Sequence, residues 1–600
     1  MLAAADNAAH ATRPSGGGVV AFLLLAWLAL VVHTAWFVVE HGSPMPSRDD
    51  LELVPLFAPG TTPGAILNEV WSPLNEHRLP LAQLVHFAAV SIARDFRAGG
   101  YVQVGLLAAT ALAGLAAARR LRGRSAPEDV LFPLLLLHWS QAENLLLGTQ
   151  ICVALALFLA TLAGCAVVWT PGAPSARRIA VVGACTLLLP LCGGFGLCPS
   201  PAFAAWIAIA GLGALRAGER GRALGAAAWC AAYGACVALY FTDYALPAAP
   251  SLEHRVDVGA GIVVQVLSMA FGAEGAYHPW IAIPAALALV GLTVAGIRRG
   301  ASGPPDERWR ALGLATIPVS VLLLAGAIGW ARQADWPYSG WAGRYSSTSA
   351  PLVFAAVFAT LCYGGRVIAR AVPITLALLS AAALPFHVER GEWAAAELDA
   401  QLRPFLIAVR AEPPIDELAR TWAGPIYPDA TGFRAKLAIL RETRLPPFDR
   451  DANPPHVDDR ALVVPPVVAS SAAAPVERRL GGLDLVAVLA PARLEVELAC
   501  GARAAALRFC VPPVAYLDDA PPERRTLGVR LRAVQERDGA PPIELFRRLL
   551  QPGEFRSERG LQTLAVELAP GGGRLVLEVE GLSSDHPGTD WLGVSRLEVR

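Results

Sequence analysis

The sequence predicts a polytopic α-helical membrane protein, with about eleven transmembrane helices, followed by an extracytoplasmic all-β domain of jelly-roll or sandwich type. Two observations predict the membrane part. The 600 residues are 54% hydrophobic and 17% charged, against about 25% charged in an ordinary soluble domain. Up to about residue 385 the apolar residues gather in blocks of ~16–23, long enough to cross a hydrocarbon core ~30 Å thick. A third observation predicts the β part. From about residue 461 the apolar runs are short and rich in Val and Leu, and several alternate with polar residues, as Arg493-Leu-Glu-Val-Glu-Leu498 does. About nine such runs in ~140 residues, separated by turn residues, fit an antiparallel jelly roll.

Charge excludes one class of partner. The 50 basic and 50 acidic residues cancel, whereas a nucleic-acid-binding surface needs a basic excess. Lys436 is the one lysine; the other basic residues are arginines. Of ten cysteines, eight lie in or beside apolar segments, where a small polarizable side chain packs. None shows a Cys-x-x-Cys spacing, so a zinc or redox site is not expected. Cys500 and Cys510 sit on two successive predicted strands and are candidates for a disulfide if that domain is extracytoplasmic.

Residues 1–18 read as a disordered cytoplasmic N-terminus and 19–39 as the first, retained span. Residues 41–100 form the first outer loop. Within it, 79–96 carries His86, Arg94 and Asp95 and reads as an amphipathic surface helix. The next span, 101–118, then delivers Arg119, Arg120, Arg122 and Arg124 to the cytoplasm, as the positive-inside rule prefers. Spans at about 128–139, 149–169, 179–193, 201–215, 223–241, 280–297, 311–330, 349–365 and 371–386 follow, with 256–273 as a second surface or re-entrant helix. This choice puts Arg177, Arg178, Arg216, Arg220, Arg222, Arg298, Arg299, Arg366 and Arg370 on one side. The membrane domain is thus 19–387, a helical connector and Pro-rich linker 388–459, and the β domain 460–600. No outer-membrane barrel pattern is present, which points to an inner or plasma membrane.

Chemistry-bearing residues crowd at the outer side. The first outer loop holds Asp49, Asp50 and Glu52, then Asn75-Glu76-His77-Arg78. Further on come His138-Trp-Ser-Gln-Ala-Glu143-Asn144, Gln150, His254-Arg255, Asp335 and Trp341-Ala-Gly-Arg344-Tyr345. Hydrated loops are polar in any protein, and the accompanying aromatics also suit an interfacial belt. Carboxylates there can, however, serve as general bases, and an arginine can hold an anionic group in bidentate fashion. Arg78, Arg255 and Arg344 are the candidates, Arg344 foremost. Glu143, Asn144 and Gln150 suit either sugar hydroxyls or helix–helix hydrogen bonds.

The order of these features resembles the GT-C class of integral-membrane glycosyltransferases, which includes the protein O-mannosyltransferases and aminoarabinose transferases. Within it the chain looks most like bacterial members with Asn75-Glu76-His77-Arg78 in the first loop and Glu143-Asn144-Leu-Leu-Leu-Gly148-Thr149-Gln150 further on. The resemblance covers roughly 19–390. It implies transfer of a sugar from a polyprenyl-phosphate carrier to a glycan, lipid or protein acceptor at the outer face. It also implies a first-loop acidic residue as base, a position that Asp49 and Asp50 both match, with Asp50 preferred. Glu76, His77, Arg78, Glu143, Asn144, Gln150, Arg255, Arg344 and Tyr345 are then the substrate-binding candidates. No cofactor is required; Asp49, Asp50 and Glu52 could take a divalent cation, but no second cluster completes a site. In the β domain, Asp585-His586 and Asp590-Trp591 are candidates for carbohydrate contact. The competing readings are a lipid or polysaccharide transporter or flippase, which predicts internal repeats and charges midway through the spans, and a non-catalytic envelope-assembly protein. No clear repeat is visible.

Overall fold

The computed structural model describes residues 17–448, apart from 75–76, 245–254, 334–337, 411–412 and 425, and beyond 462 twelve strands with parts of their connections. Cys500, the 585–590 segment, Glu76, His254 and Asp335 lie outside the described residues. The chain divides into two compact units, Met1–Ala395 with Glu412–Asn453, and Ala396–Ala411 with Pro454–Arg600.

In the first unit the helices run α1 (Gly17–His41), α2 (Pro63–Trp71), α3 (Pro80–Ala93), α4 (Ala98–Arg122), α5 (Leu131–Leu136), α6 (Ile151–Val168), α7 (Ala176–Leu188), α8 (Ser200–Arg216), α9 (Arg220–Tyr240) and α10 (Val256–Ser268). They continue as α11 (Pro279–Ala301), α12 (Pro305–Arg332), α13 (Ala350–Tyr363), α14 (Arg366–Arg410), α15 (Ile415–Trp422) and α16 (Ala430–Glu442). Among the described residues nine helices are long and apolar enough to cross a membrane. The expectation was about eleven, and two of the expected spans are not among the nine. The segment at 128–139 holds only the six-residue α5, about 9 Å long at 1.5 Å per residue. The segment at 179–193 holds the 13-residue α7, closed by a 3₁₀ turn around Pro190. The expected surface helices, α3 and Val256–Phe271, are short apolar helices.

Small residues set the packing, because lipid offers no hydrophobic drive between helices and backbones must approach closely. A Cβ on Gly114 of α4 would lie 2.5 Å from the Phe132 ring. One on Gly313 of α12 would lie 2.2 Å from the Val167 carbonyl oxygen, and one on Gly296 of α11 2.7 Å from Ala359 Cβ. Helices α6 and α13 are buried along most of their length, whereas α1 and α9 turn most of theirs outward. Phe132 joins Phe354 and Phe358 in the core, edge-on to the first at 4.8 Å. At one end of the bundle Arg122 pairs with the buried Asp129 at 2.7 Å, and Arg178 donates to the Ala166 and Val167 carbonyls ending α6. The 41–100 loop, which leads into the start of α4, lies at the opposite end of that helix from Arg122.

In the second unit the described strands are β1 (Leu462–Val464), β2 (Val467–Ser471), β3 (Val476–Leu480), β4 (Leu483–Leu489), β5 (Ala492–Leu498), β6 (Ala504–Cys510), β7 (Val529–Arg537), β8 (Ala540–Leu550), β9 (Gln562–Glu567), β10 (Gly573–Gly581), β11 (Trp591–Val594) and β12 (Leu597–Val599). They form two antiparallel sheets, ordered β1-β12-β6-β11-β4-β3, with β9 also on β6, and β2-β5-β10-β7-β8. In the second sheet the period-2 pattern decides the faces. Leu494, Val496, Leu531, Leu575 and Leu577 are buried on one side. Arg493, Glu495, Arg532, Glu536, Glu578 and Arg574 pair with one another on the other.

Replacing Phe132 by Ala should remove about 3–5 kcal/mol, the usual cost of deleting a fully buried aromatic. Unfolding in detergent micelles reads this as a clear fall in melting temperature.

Candidate functional site

The centre of the site is the 3₁₀ helix Arg48–Phe57 of the 41–100 loop. Its repeat of three residues per turn stacks positions i and i+3. Asp50, Leu53 and Leu56 therefore share the buried face, while Asp49 and Glu52 share the outer one. Asp50 is 3% exposed. Its Oδ1 accepts from the Thr149 N–H at 2.7 Å and its Oδ2 from the Gly148 N–H at 3.1 Å. Those donors belong to the 3₁₀ turn Gly148–Gln150 that opens α6, where a helix start leaves N–H groups without partners and favours negative charge.

That turn is held from below. Gln103 of α4 donates to the Leu147 carbonyl at 2.8 Å. The buried His86 ring of α3 lies against it so closely that a Cβ on Gly148 would sit 2.1 Å from His86 Nε2. A Cβ on Gly100 would meet the Leu145 carbonyl oxygen at 2.5 Å. Glycine is required here by close approach rather than by a turn angle.

The two aspartates differ in kind. Burial pushes the Asp50 carboxyl up from its ordinary 3.8 to about 6, and the Thr149 and Gly148 N–H groups pull against that rise. Asp49 is open to solvent at the surface. The protein crowded around it, then the Asp50 and Glu52 carboxylates, push its pKa upward; Arg344 and Arg48 pull it down.

Arg344 reaches this place from the segment before α13. Its backbone N–H donates to Glu143 Oε2 and its Nη1 to Glu143 Oε1, both at 3.0 Å. Asn144 Nδ2 donates to the Arg344 carbonyl at 3.2 Å. The ion pair is partly open to water, with the Arg344 side chain 32% exposed. The guanidinium also lies 5.3 Å from the centre of the buried Tyr345 ring. Asn144 Oδ1 and Gln150 Oε1 are buried acceptors without a protein donor, a state that usually implies water or a ligand.

Beside this polar group lies a small, mostly apolar pocket, lined by Val153, Leu157, Phe195, Val321, Leu324 and Thr348 among others. Thr348 lies one helical turn beyond Arg344, and the Phe195 ring is 6.2 Å from Tyr345. His77 borders the same corner, 3.0 Å from where a Cβ on Gly194 would stand.

The structure thus brings together Asp49, Asp50, Glu143, Asn144, Gln150, Arg344 and Tyr345, with His77 at the edge. It does not bring in Arg78 or Arg255. The Arg78 guanidinium donates to the Trp71 and Thr242 carbonyls and is 5% exposed, a brace between the first loop and the end of α9. Arg255 is exposed and paired with Asp257 at 2.9 Å. Sequence reasoning named two further contributors without their roles here. His86 was visible only as a histidine in an apolar helix. Glu52 is held by Tyr427 and Lys436 from the connector, and the single lysine of the chain was the available signal. Among the described residues no group of three or more His, Cys, Asp or Glu side chains is placed to hold a metal ion.

No protein-family model matches the chain, and no curated protein matches it. Among solved structures it matches the arabinosyltransferase EmbB from Mycobacterium smegmatis at 12% identity and a TM-score of 0.30, over 96% of this chain. The chain spans 64% of that protein's length. A likeness at that score is too slight to assign a fold or an activity.

The raised carboxyl of Asp50 fixes the sign of one pH effect. Its folded pKa of about 6 exceeds the ordinary 3.8, so the folded state binds the proton more tightly. This residue's stabilising contribution is full below about pH 4 and is lost as pH rises to about 6. Melting temperatures measured from pH 4 to 7 should show that decline in the wild type, and a flatter profile in Asp50→Asn.

Proposed function

We propose that the protein is a membrane glycosyltransferase that moves a sugar from a polyprenyl-phosphate carrier to a hydroxyl acceptor at the outer face of a bacterial inner or plasma membrane. The observation that carries this reading is the juxtaposition of a solvent-open carboxylate, Asp49, with the Arg344–Glu143 pair, near a small apolar pocket. Each part has one task. The apolar lining of the pocket suits contact with a hydrocarbon chain. Arg344 suits its phosphate, with Glu143 fixing the direction of the guanidinium. Asn144 Oδ1 and Gln150 Oε1 suit sugar hydroxyls, whose O–H groups would donate to them.

In the reaction the acceptor oxygen attacks the anomeric carbon while Asp49 takes its proton. The bond from that carbon to the phosphate oxygen breaks, and the phosphate leaves with the electron pair. Arg344 offsets the charge that develops there. A single in-line displacement inverts the anomeric centre. Accessibility favours Asp49 over Asp50 as the base, because Asp50 is buried with both oxygens engaged. Asp50 then anchors the loop to the start of α6. We read the two sheets of the second unit as a sandwich of jelly-roll type, since the β5, β10 and β7 leucines and valines bury one face.

The test uses protein in nanodiscs, a panel of labelled polyprenyl-phosphate sugars, and cell-envelope acceptors. Asp49→Asn should lower transfer by ~10²–10⁴, the usual worth of a general base, with donor binding retained. Arg344→Gln should weaken donor binding as well as the rate. Donor binding without transfer by the wild type, or full transfer by Asp49→Asn, would sink the assignment, the first pointing to a carrier.

A further inference from the structure

We infer that the hairpin formed by α15 and α16 is a clamp on the catalytic loop, in which Lys436 and Tyr427 act as positioning residues by holding Glu52 directly beside Asp49. This deepens the proposed glycosyl transfer and rests on it.

The argument begins with the one lysine among 600 residues. It does not lie on an exposed face. In α16 the buried positions are Phe433, Lys436, Leu437 and Leu440, the i, i+3, i+4, i+7 stripe of an amphipathic helix. An ammonium on the buried stripe must be paired to remain charged. Lys436 is 8% exposed, and its Nζ donates to Glu52 Oε2 at 3.1 Å. The Tyr427 hydroxyl donates to the other oxygen, Oε1, at 2.6 Å. The ammonium also sits 4.9 Å from the centre of the Tyr427 ring. Both carboxylate oxygens of Glu52 are therefore engaged by one small element.

That element is itself fixed. The Gly424 N–H donates to the Tyr427 carbonyl at 2.7 Å, and Tyr427 stacks on Phe433 at 6.0 Å. Asp429 caps α16 by accepting from the Gly432 N–H, and Arg434 of α16 pairs with Asp416 of α15. At the far end Arg94, which closes α3, donates to the Thr443 and Arg444 carbonyls. The hairpin thus grips the first outer loop at two points. In the chain it lies between two segments of the second unit, Ala396–Ala411 and Pro454–Arg600, yet it packs with the first.

Geometry ties the grip to Asp49. On a 3₁₀ helix residue 52 stacks over residue 49, so the charge of Glu52 bears directly on the Asp49 carboxylate. Glu52 is one of the groups that push the Asp49 pKa upward, and Lys436 offsets its charge. The clamp accordingly does two things: it stops the loop from swinging, and it sets how readily Asp49 gives up its proton before accepting one from the acceptor. The groups facing Asp49 are Asp50, Glu52, Arg344 and Arg48, and Glu52 carries two partners from the hairpin.

Two measurements test this. The first does not depend on transfer. Lys436 is the one side-chain amine, so peptide-resolved mass spectrometry after brief acylation reads its protection. The wild type should label severalfold more slowly than Glu52→Gln or Tyr427→Phe; equally fast labelling in all three overturns the clamp. The second is the pH profile of transfer. Lys436→Met leaves Glu52 uncompensated and should move the acid limb up by about half to one unit. Glu52→Gln leaves the ammonium unpaired and should move it down. The double variant should return it toward the wild-type position, and Lys436→Arg should hold it there whatever its rate. A purely structural contact would lower the rate in each variant without these opposite movements, and that result overturns the positioning role. Melting temperature and donor binding, followed in parallel, identify a variant that has merely unfolded. Protection of Lys436 in a wild type that transfers nothing would overturn the glycosyl-transfer reading and the positioning role together, leaving the contact as a brace.

Discussion

The site depends on one buried interaction, the Asp50 carboxylate on the Gly148 and Thr149 N–H groups. Burying a carboxylate is costly unless its oxygens are engaged. Here the partners are backbone donors at a helix start, which need an acceptor in any case. Each side offsets part of the other's cost, and the result is a fixed register between the 41–100 loop and α6. Everything else in the site is placed relative to it. Asp49 faces outward because Asp50 faces inward. The 142–150 turn is fixed from the other side by His86, Gly99, Gly100 and Gln103, so the Glu143–Arg344 pair inherits the same frame. Deleting the Asp50 contact would therefore loosen two chain segments that carry three of the site's charged groups.

This explains why two adjacent acids have different fates. On a 3₁₀ helix neighbours are about 120° apart. One can be buried as an anchor while the next is open to solvent. Sequence alone showed an acidic pair and could not say which member turned inward, because the pattern Asp-Asp-Leu-Glu-Leu-Val is short and apolar residues occupy several registers. The period becomes visible only once Leu53 and Leu56 are seen to share the face of Asp50. The same limit applies to Arg78. An arginine beside a histidine and an acid reads as a phosphate ligand, but the guanidinium serves equally well as a brace for backbone carbonyls, and here it does so.

At the level of the fold, hydropathy was legible where helices face lipid and misleading where they do not. Leu131–Leu136 is as apolar as any span, yet it is a short helix buried on every residue. Burial inside protein and burial in lipid leave the same composition, and only length separates them. The expected boundary near 387 falls within a continuous helix for a related reason. α14 continues from Arg366 to Arg410, since the loss of lipid contact changes which residues a helix exposes and not whether it forms. The strands beyond 461 were legible from alternation, because a sheet with one wet face repeats every two residues.

The lone lysine shows what composition can still conceal. In a chain that otherwise uses arginine, a lysine on the buried stripe of α16 stands out, but the sequence gives no hint of its partner 384 positions away. A guanidinium at that place would present a wide planar fork to Glu52, whereas an ammonium is a compact point charge that also fits over the Tyr427 ring. Glu52 can then keep both oxygens engaged without leaving the outer face it shares with Asp49. The loop chemistry is in this way tied to a helix that the chain reaches only after its last apolar segment. The segments on either side of that hairpin belong to the second unit, so the chain returns to the first unit through the element that holds Glu52.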